Sequence, residues 1–313
     1  MPISTEGHIT TLTHPASGAS CKIHAFGATV LSFVSSDGRE NLFVSKQAIT
    51  DGSKAIRGGI PLVFPVFGPS GNSMPQHGFA RCNYWKVNNT IESDHAVGVE
   101  FVLELKDASA GRGTDDTSPW FPHKCELDGT DCRLVYDVRL ESGHELITTL
   151  KVFNTGKSSF NFQALFHTYY KVDDGAALDN AKTYVKGLGG YAISDKVLGD
   201  SGKVQSYDDN VVVTGETDKV FIHPDNHPVV HASIGVGLTE PLRLETAGQV
   251  DEQPSPISCV VWNPHQAKAA AMGDFGDEEY KDMICVEPGL IGHQPLLEPG
   301  KVARLSQTII ARK

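Results

Sequence analysis

The chain has 313 residues, 40% of them hydrophobic and 21% charged, with a formal net charge of −11 at pH 7. Such values fit a globular protein with a large core and argue against nucleic acid as a partner, because surfaces that bind it are net basic. A small anion is not excluded, since two or three local cations dominate a pocket whatever the overall charge.

In chain order, the first twenty residues carry neither a basic start nor an apolar core of signal-peptide length. No run approaches the 18 or so apolar residues of a membrane span. A cytoplasmic protein with no membrane partner is the expectation. The six cysteines, at 21, 82, 125, 132, 259 and 285, form no CxxC pair and read as free, mostly buried thiols.

The first unusual segment is 57–65, RGGIPLVFP, followed by 75–81, PQHGFAR. Glycines let the backbone turn sharply and let another group approach closely. The guanidinium forks of Arg57 and Arg81 suit a phosphate or a carboxylate. Gln76 and His77 could serve sugar hydroxyls. The plainer alternative makes Arg57 a surface charge on a rigid cap and His77 a core histidine with a backbone partner.

Period-two alternation then dominates. The runs 98–105, 132–140, 145–153, 160–166 and 302–311 read as half-buried strands, with turn signals such as Asp128-Gly129 and Ser142-Gly143 between them. Residues 107–118 read as a polar surface loop between two strands. The one helical stretch, 265–272, is Ala-rich and short. With no βαβ rhythm, the fold class is all-β, an antiparallel sandwich or barrel. His167 ends the run 160–166 and can exchange a proton near neutrality. Asp218 is a loop carboxylate or an acceptor for substrate hydroxyls. Glu287 ends a short apolar strand, where a carboxylate is costly unless paired or functional.

Several patterns fail. Gly235-Val236-Gly237 lacks the third glycine of a dinucleotide loop. His223, His227 and His231 recur every fourth residue, but Pro224 and Pro228 would break the helix needed to align them. They read as loop histidines, and no metal or cofactor is called for.

The ordered set RGGIPLVFPVFGP, PQHGFAR, WFPHKCEL, ALFHTYYKV, GETDKV, WNP and MICVEPG resembles the hexose-6-phosphate mutarotases, the glucose-6-phosphate 1-epimerases of the aldose 1-epimerase superfamily. It spans about residues 20–310. Two departures are Phe166 where leucine is usual and the continuation LIGHQPL after Gly289. The resemblance implies a large antiparallel β-sandwich of the galactose-mutarotase type, a single domain over residues 1–313. It implies His167 and Glu287 as catalytic acid and base, and Arg57, Gln76, Arg81 and Asp218 as substrate contacts. The expected partner is a small phosphosugar, with no cofactor and a monomeric protein. Rival readings are an epimerase of unphosphorylated aldoses and a sugar-binding protein without catalysis.

Overall fold

The structure, a computed structural model, describes residues 1–71, 74–223, 227–237 and 240–311. Among these residues the strands form two large antiparallel sheets, of nine and eight strands, together with a four-stranded sheet at the N-terminus and a two-stranded pair.

The nine-stranded sheet runs in space Thr183–Lys186, Val229–Val236, Leu242–Val250, Val302–Ile310, Glu145–Asn154, Cys132–Ser142, Val97–Glu104, Lys86–Glu92, with Gln253–Pro254 beside Leu242–Val250. Successive side chains of a strand point to opposite faces. Along Glu145–Asn154 and Leu242–Val250, buried residues accordingly alternate strictly with half-buried or exposed ones. One face is core and the other meets water, as antiparallel sheets allow.

The eight-stranded sheet runs Asp200–Val204, Ala192–Asp195, Thr217–Ile222, Ser258–Asn263, Met283–Leu290, Ala164–Phe166, Leu62–Val63, and Tyr169–Lys171 also pairs with Met283–Leu290. Its inner face packs on the nine-stranded sheet. The rings of Phe166 and Tyr136 lie 6.1 Å apart across this interface, and Gln307 donates to Thr168 Oγ1 at 3.2 Å. Its two central strands, Ser258–Asn263 and Met283–Leu290, are buried at every position. Their side chains divide between two cores. Ile284, Val286 and Leu290 enter the core between the sheets, while Met283 and Cys285 join Phe43, Tyr169, Trp262, Phe275 and Tyr280 on the far side.

Four of the five predicted strands appear nearly whole. The fifth, 160–166, is split. Phe160–Asn161 pairs with Leu296–Leu297, and only Ala164–Phe166 belongs to the eight-stranded sheet. The loop 107–118 leads not into a strand but into a helix, Pro122–Asp128, closed by Gly129 at φ 71°. Asn83 holds this loop, accepting from the N–H groups of Ser109 and Ala110. The Ala-rich helix is His265–Ala270. His231 lies on a strand, so the three spaced histidines share no helix; Pro224, one of the two predicted breakers, lies outside the described residues. All six cysteines are free, and five of them are buried. No described helix is long and apolar enough to cross a membrane.

Candidate active site

The outer face of the eight-stranded sheet forms the floor of a cavity of about 370 Å³. Strand parity selects what stands on it. Glu287 lies two residues beyond Cys285 and four beyond Met283, so it shares their outward face. Cross-strand register sets Val260 opposite Glu287, Trp262 opposite Cys285 and Asp218 opposite Trp262. His167 stands between the strands Ala164–Phe166 and Tyr169–Lys171. Its N–H is bonded to the Pro61 carbonyl at 3.0 Å, and its ring is stacked on Tyr169 at 4.8 Å and 10°.

The rim comes from the two stiff segments. Gly58 and Gly59 let the backbone behind Arg57 pass against two other backbone segments: a Cβ at Gly59 would lie 2.0 Å from the Val30 carbonyl oxygen, and one at Gly58 2.4 Å from Val44 Cα. The Arg57 guanidinium donates to Tyr169 Oη and to both carboxylate oxygens of Asp274, each at 3.3 Å. Arg81 sits on the short turn Ala80–Cys82 and donates to the Gln76 carbonyl at 2.7 Å. Trp85 fixes that turn by donating to the Ala80 carbonyl at 2.9 Å.

All six residues singled out in the sequence, Arg57, Gln76, Arg81, His167, Asp218 and Glu287, line this one cavity. His77 lines it too. Its Nδ1 accepts from the Gly68 N–H at 3.1 Å, so the neutral ring carries its hydrogen on Nε2. His77 therefore has the backbone partner of the plainer reading and also faces the cavity. Lys196 and Lys268 also line the cavity and were not anticipated. Lys196 Nζ lies 4.2 Å from the Phe67 ring centre, and Lys268 pairs with Glu216 at 2.7 Å. A single lysine at the start of a turn and one on a short helix carry no spacing signal. Trp262 falls within the WNP element, yet it reads there as motif rather than as site.

The centre of the site is a buried pair. His167 Nδ1 and Glu287 Oε1 are 3.5 Å apart, and the two side chains are 8% and 2% exposed. Among the described residues, Nδ1 of His167 has no hydrogen-bond partner. Burial pushes the Glu287 carboxyl well above the usual carboxylate range, and Asp218 adds to the shift. Burial, then the charges of Arg81 and Arg57, push the His167 imidazole well below its usual value. The pair therefore favours its uncharged form, with one proton held on the carboxyl. Moving that proton to the imidazole gives carboxylate and imidazolium with the same proton count. Such a pair can hold an acid and a base without taking a proton from solvent or losing one to it.

Donor atoms of His167, Cys285 and Glu287 lie within 4.8 Å of one another. The guanidinium field that opposes a proton on His167 opposes a dication there as well, so the geometry reads as acid–base rather than metal-binding. A larger cavity, of about 650 Å³, lies between Leu105 and the helix Pro122–Asp128. Its buried titratable group, Cys125, is pushed up to about 11 by burial, and no buried acid–base pair faces it.

A sequence model of the aldose 1-epimerase family matches residues 8–309. A protein of Cenchrus ciliaris provisionally named glucose-6-phosphate 1-epimerase is 32% identical over 283 residues, 90% of this chain and 78% of that one. An Escherichia coli K12 protein with the same provisional name is 30% identical, over 96% of this chain and 89% of the relative. Among solved structures, a provisionally assigned mutarotase of Salmonella typhimurium superimposes with TM-score 0.75 at 24% identity, over 99% of this chain and 93% of the other. A galactose mutarotase-like protein of Clostridium acetobutylicum gives 0.69 at 15% identity, over 99% and 98%. These two likenesses carry the fold, which is galactose mutarotase-like.

Proposed function

The chain belongs to the aldose 1-epimerase family and is an epimerase of sugars, and from that premise we propose that it interconverts the α and β anomers of a hexose 6-phosphate, glucose 6-phosphate first among them. It acts as a cytoplasmic monomer, with residues 1–313 as one domain. The observation that carries this reading is the coexistence, in one cavity, of a buried His167–Glu287 pair 3.5 Å apart and two guanidinium groups, Arg57 and Arg81.

Anomer exchange opens the ring, turns the bond to the aldehyde carbon and closes the ring again. Opening needs a base at the anomeric hydroxyl and an acid at the ring oxygen; closing reverses both roles. Glu287 as carboxylate takes the hydroxyl proton, and His167 as imidazolium gives one to the ring oxygen. The reactive form is the charged tautomer of the pair, which burial alone disfavours. A phosphate dianion beside Arg57 offsets a cation that holds the His167 imidazole down and is not among those that lower Glu287, so binding shifts the shared proton towards the imidazole. The distant phosphate thereby orients the sugar and also prepares the acid. Gln76 and Asp218 serve the ring hydroxyls.

The test is exchange NMR of anomers with glucose 6-phosphate and glucose side by side. Acceleration much greater for the phosphosugar supports the reading. Equal acceleration would make the protein an epimerase of free aldoses, and none with either sugar would leave it a binding protein.

A further inference from the structure

Asp274 is not among the residues that line the cavity, yet it is tied to one that is. It is 1% exposed. Both its oxygens accept from Arg57 Nη2 at 3.3 Å, and Lys54 Nζ lies 2.9 Å from Oδ2. An isolated carboxylate in such a place would be prohibitive. Burial alone would raise its titration, but Lys54 and Arg57 together bring it below the ordinary carboxylate range, so it is ionised throughout the neutral region. Of its two partners, Arg57 lines the cavity and Lys54 is half-exposed.

The frame around the contact is fixed on both sides. Phe275, which follows Asp274, is fully buried and packs against Phe43 with ring centres 5.7 Å apart. The Phe43 carbonyl accepts from the Gly59 N–H at 2.7 Å, and the Arg57 carbonyl accepts from the Ser45 N–H at 3.0 Å. The backbone of Arg57 and the carboxylate it grips are therefore held by one structural unit. What remains free is a long, flexible side chain, and its guanidinium is stopped by Asp274 at Nη2 and by Tyr169 Oη at Nη1.

We propose that Asp274 is the positioning residue that holds the Arg57 guanidinium at the anion end of the cavity, and so sets the preference for a phosphorylated over a free sugar. The inference rests on the reading of Arg57 as a phosphate ligand. A guanidinium already held in place gives up less freedom when an anion arrives. The gain falls only on ligands that carry the anion, so Asp274 acts on discrimination between the two sugars and not on the proton transfers themselves.

The experiment measures kcat and KM for glucose 6-phosphate and for glucose in the wild type, Asp274→Asn, Asp274→Glu, Arg57→Ala and the double variant Arg57→Ala/Asp274→Asn. Asp274→Asn is expected to raise KM for the phosphosugar about tenfold, as one charge-assisted contact loses its alignment, with glucose turnover within about twofold of wild type. Asp274→Glu keeps the charge and gives a smaller loss in the same direction; it supplies the reading if the asparagine variant does not fold. In the Arg57→Ala background, Asp274→Asn should bring no further change in the ratio between sugars. Equal losses on both sugars, or an undiminished Asp274→Asn effect without Arg57, overturn the inference while leaving the phosphate reading intact. An unchanged ratio in Arg57→Ala removes the phosphate reading itself, and the inference with it.

Discussion

The two large sheets solve the same packing problem in opposite ways. In the nine-stranded sheet, inner strands such as Glu145–Asn154 keep one dry face and one wet face. In the eight-stranded sheet the strands Ser258–Asn263 and Met283–Leu290 are dry on both faces, and the outward face holds Glu287, a carboxyl that water would welcome. The first sheet provides stability and the second provides a low-dielectric floor, where a titratable group departs far from its usual value. The difference implies that substitutions should separate by sheet: those outward on the eight-stranded sheet alter chemistry, and those inward on the nine-stranded sheet alter folding.

The strongest way to break this division is Glu287→Gln, expected to lower kcat by at least about 10²–10⁴-fold while phosphosugar binding, read by calorimetry, stays within a few-fold. Near-normal turnover would remove Glu287 as the base. Its counterpart is Leu150→Ala, a fully buried side chain of the nine-stranded sheet. It should cost about 2–5 kcal/mol in denaturant unfolding, with kcat at low temperature unchanged; a comparable loss of kcat would show that the sheets are not separable. Next come Arg57→Ala and Arg81→Ala, each expected to raise KM for glucose 6-phosphate by about 10–100-fold and to leave KM for glucose nearly unmoved. The pH profile sharpens the comparison further. Activity needs one proton on the His167–Glu287 pair, so the acid limb marks gain of a second proton, below the usual imidazole range, and the alkaline limb marks loss of the only one. Arg81 lowers both groups. Arg81→Ala should therefore shift both limbs of the kcat/KM profile, which reports the free protein, upward, and a shift in one limb alone would contradict the shared-proton pair. The smallest effect concerns stability. Glu287 titrates higher in the folded protein than in the unfolded chain, so its carboxyl favours folding least once pH passes the folded value. Glu287→Gln should consequently melt at a higher temperature than wild type in alkaline buffer, by a few degrees at most, with the gap closing towards acid; a gap that widens towards acid would reverse the sign.

The same contrast explains what could be read from the chain. Strands with one wet face print their period on the sequence, so 132–140, 145–153 and 302–311 were legible within a residue or two. The run 160–166 was not, because its alternation continues unbroken through Phe162, Gln163 and Ala164 and hides the point where the backbone leaves one sheet for another after Asn161. The helix Pro122–Asp128 was missed because seven residues with one buried side chain leave no stripe. The candidate site was legible through chemically costly residues in stiff surroundings, Arg57 beside two glycines and Glu287 at the end of an apolar strand, and through the resemblance that ordered them. Lys196, Lys268 and Asp274 were silent, since each acquires meaning only through a neighbour far away in the chain: Phe67, Glu216 and Arg57.

The close approach behind Arg57 also bears on how such a cavity can diversify. No side chain fits at Gly58 or Gly59 without displacing the Val44 backbone or the Val30 carbonyl, whereas the side chain at position 57 lines the cavity and meets other side chains, Tyr169 and Asp274. The path of the segment is thus frozen while its cargo is exchangeable. A lineage that replaced this one arginine could shed its taste for charged sugars in a single step and keep the scaffold that carries out the proton exchange.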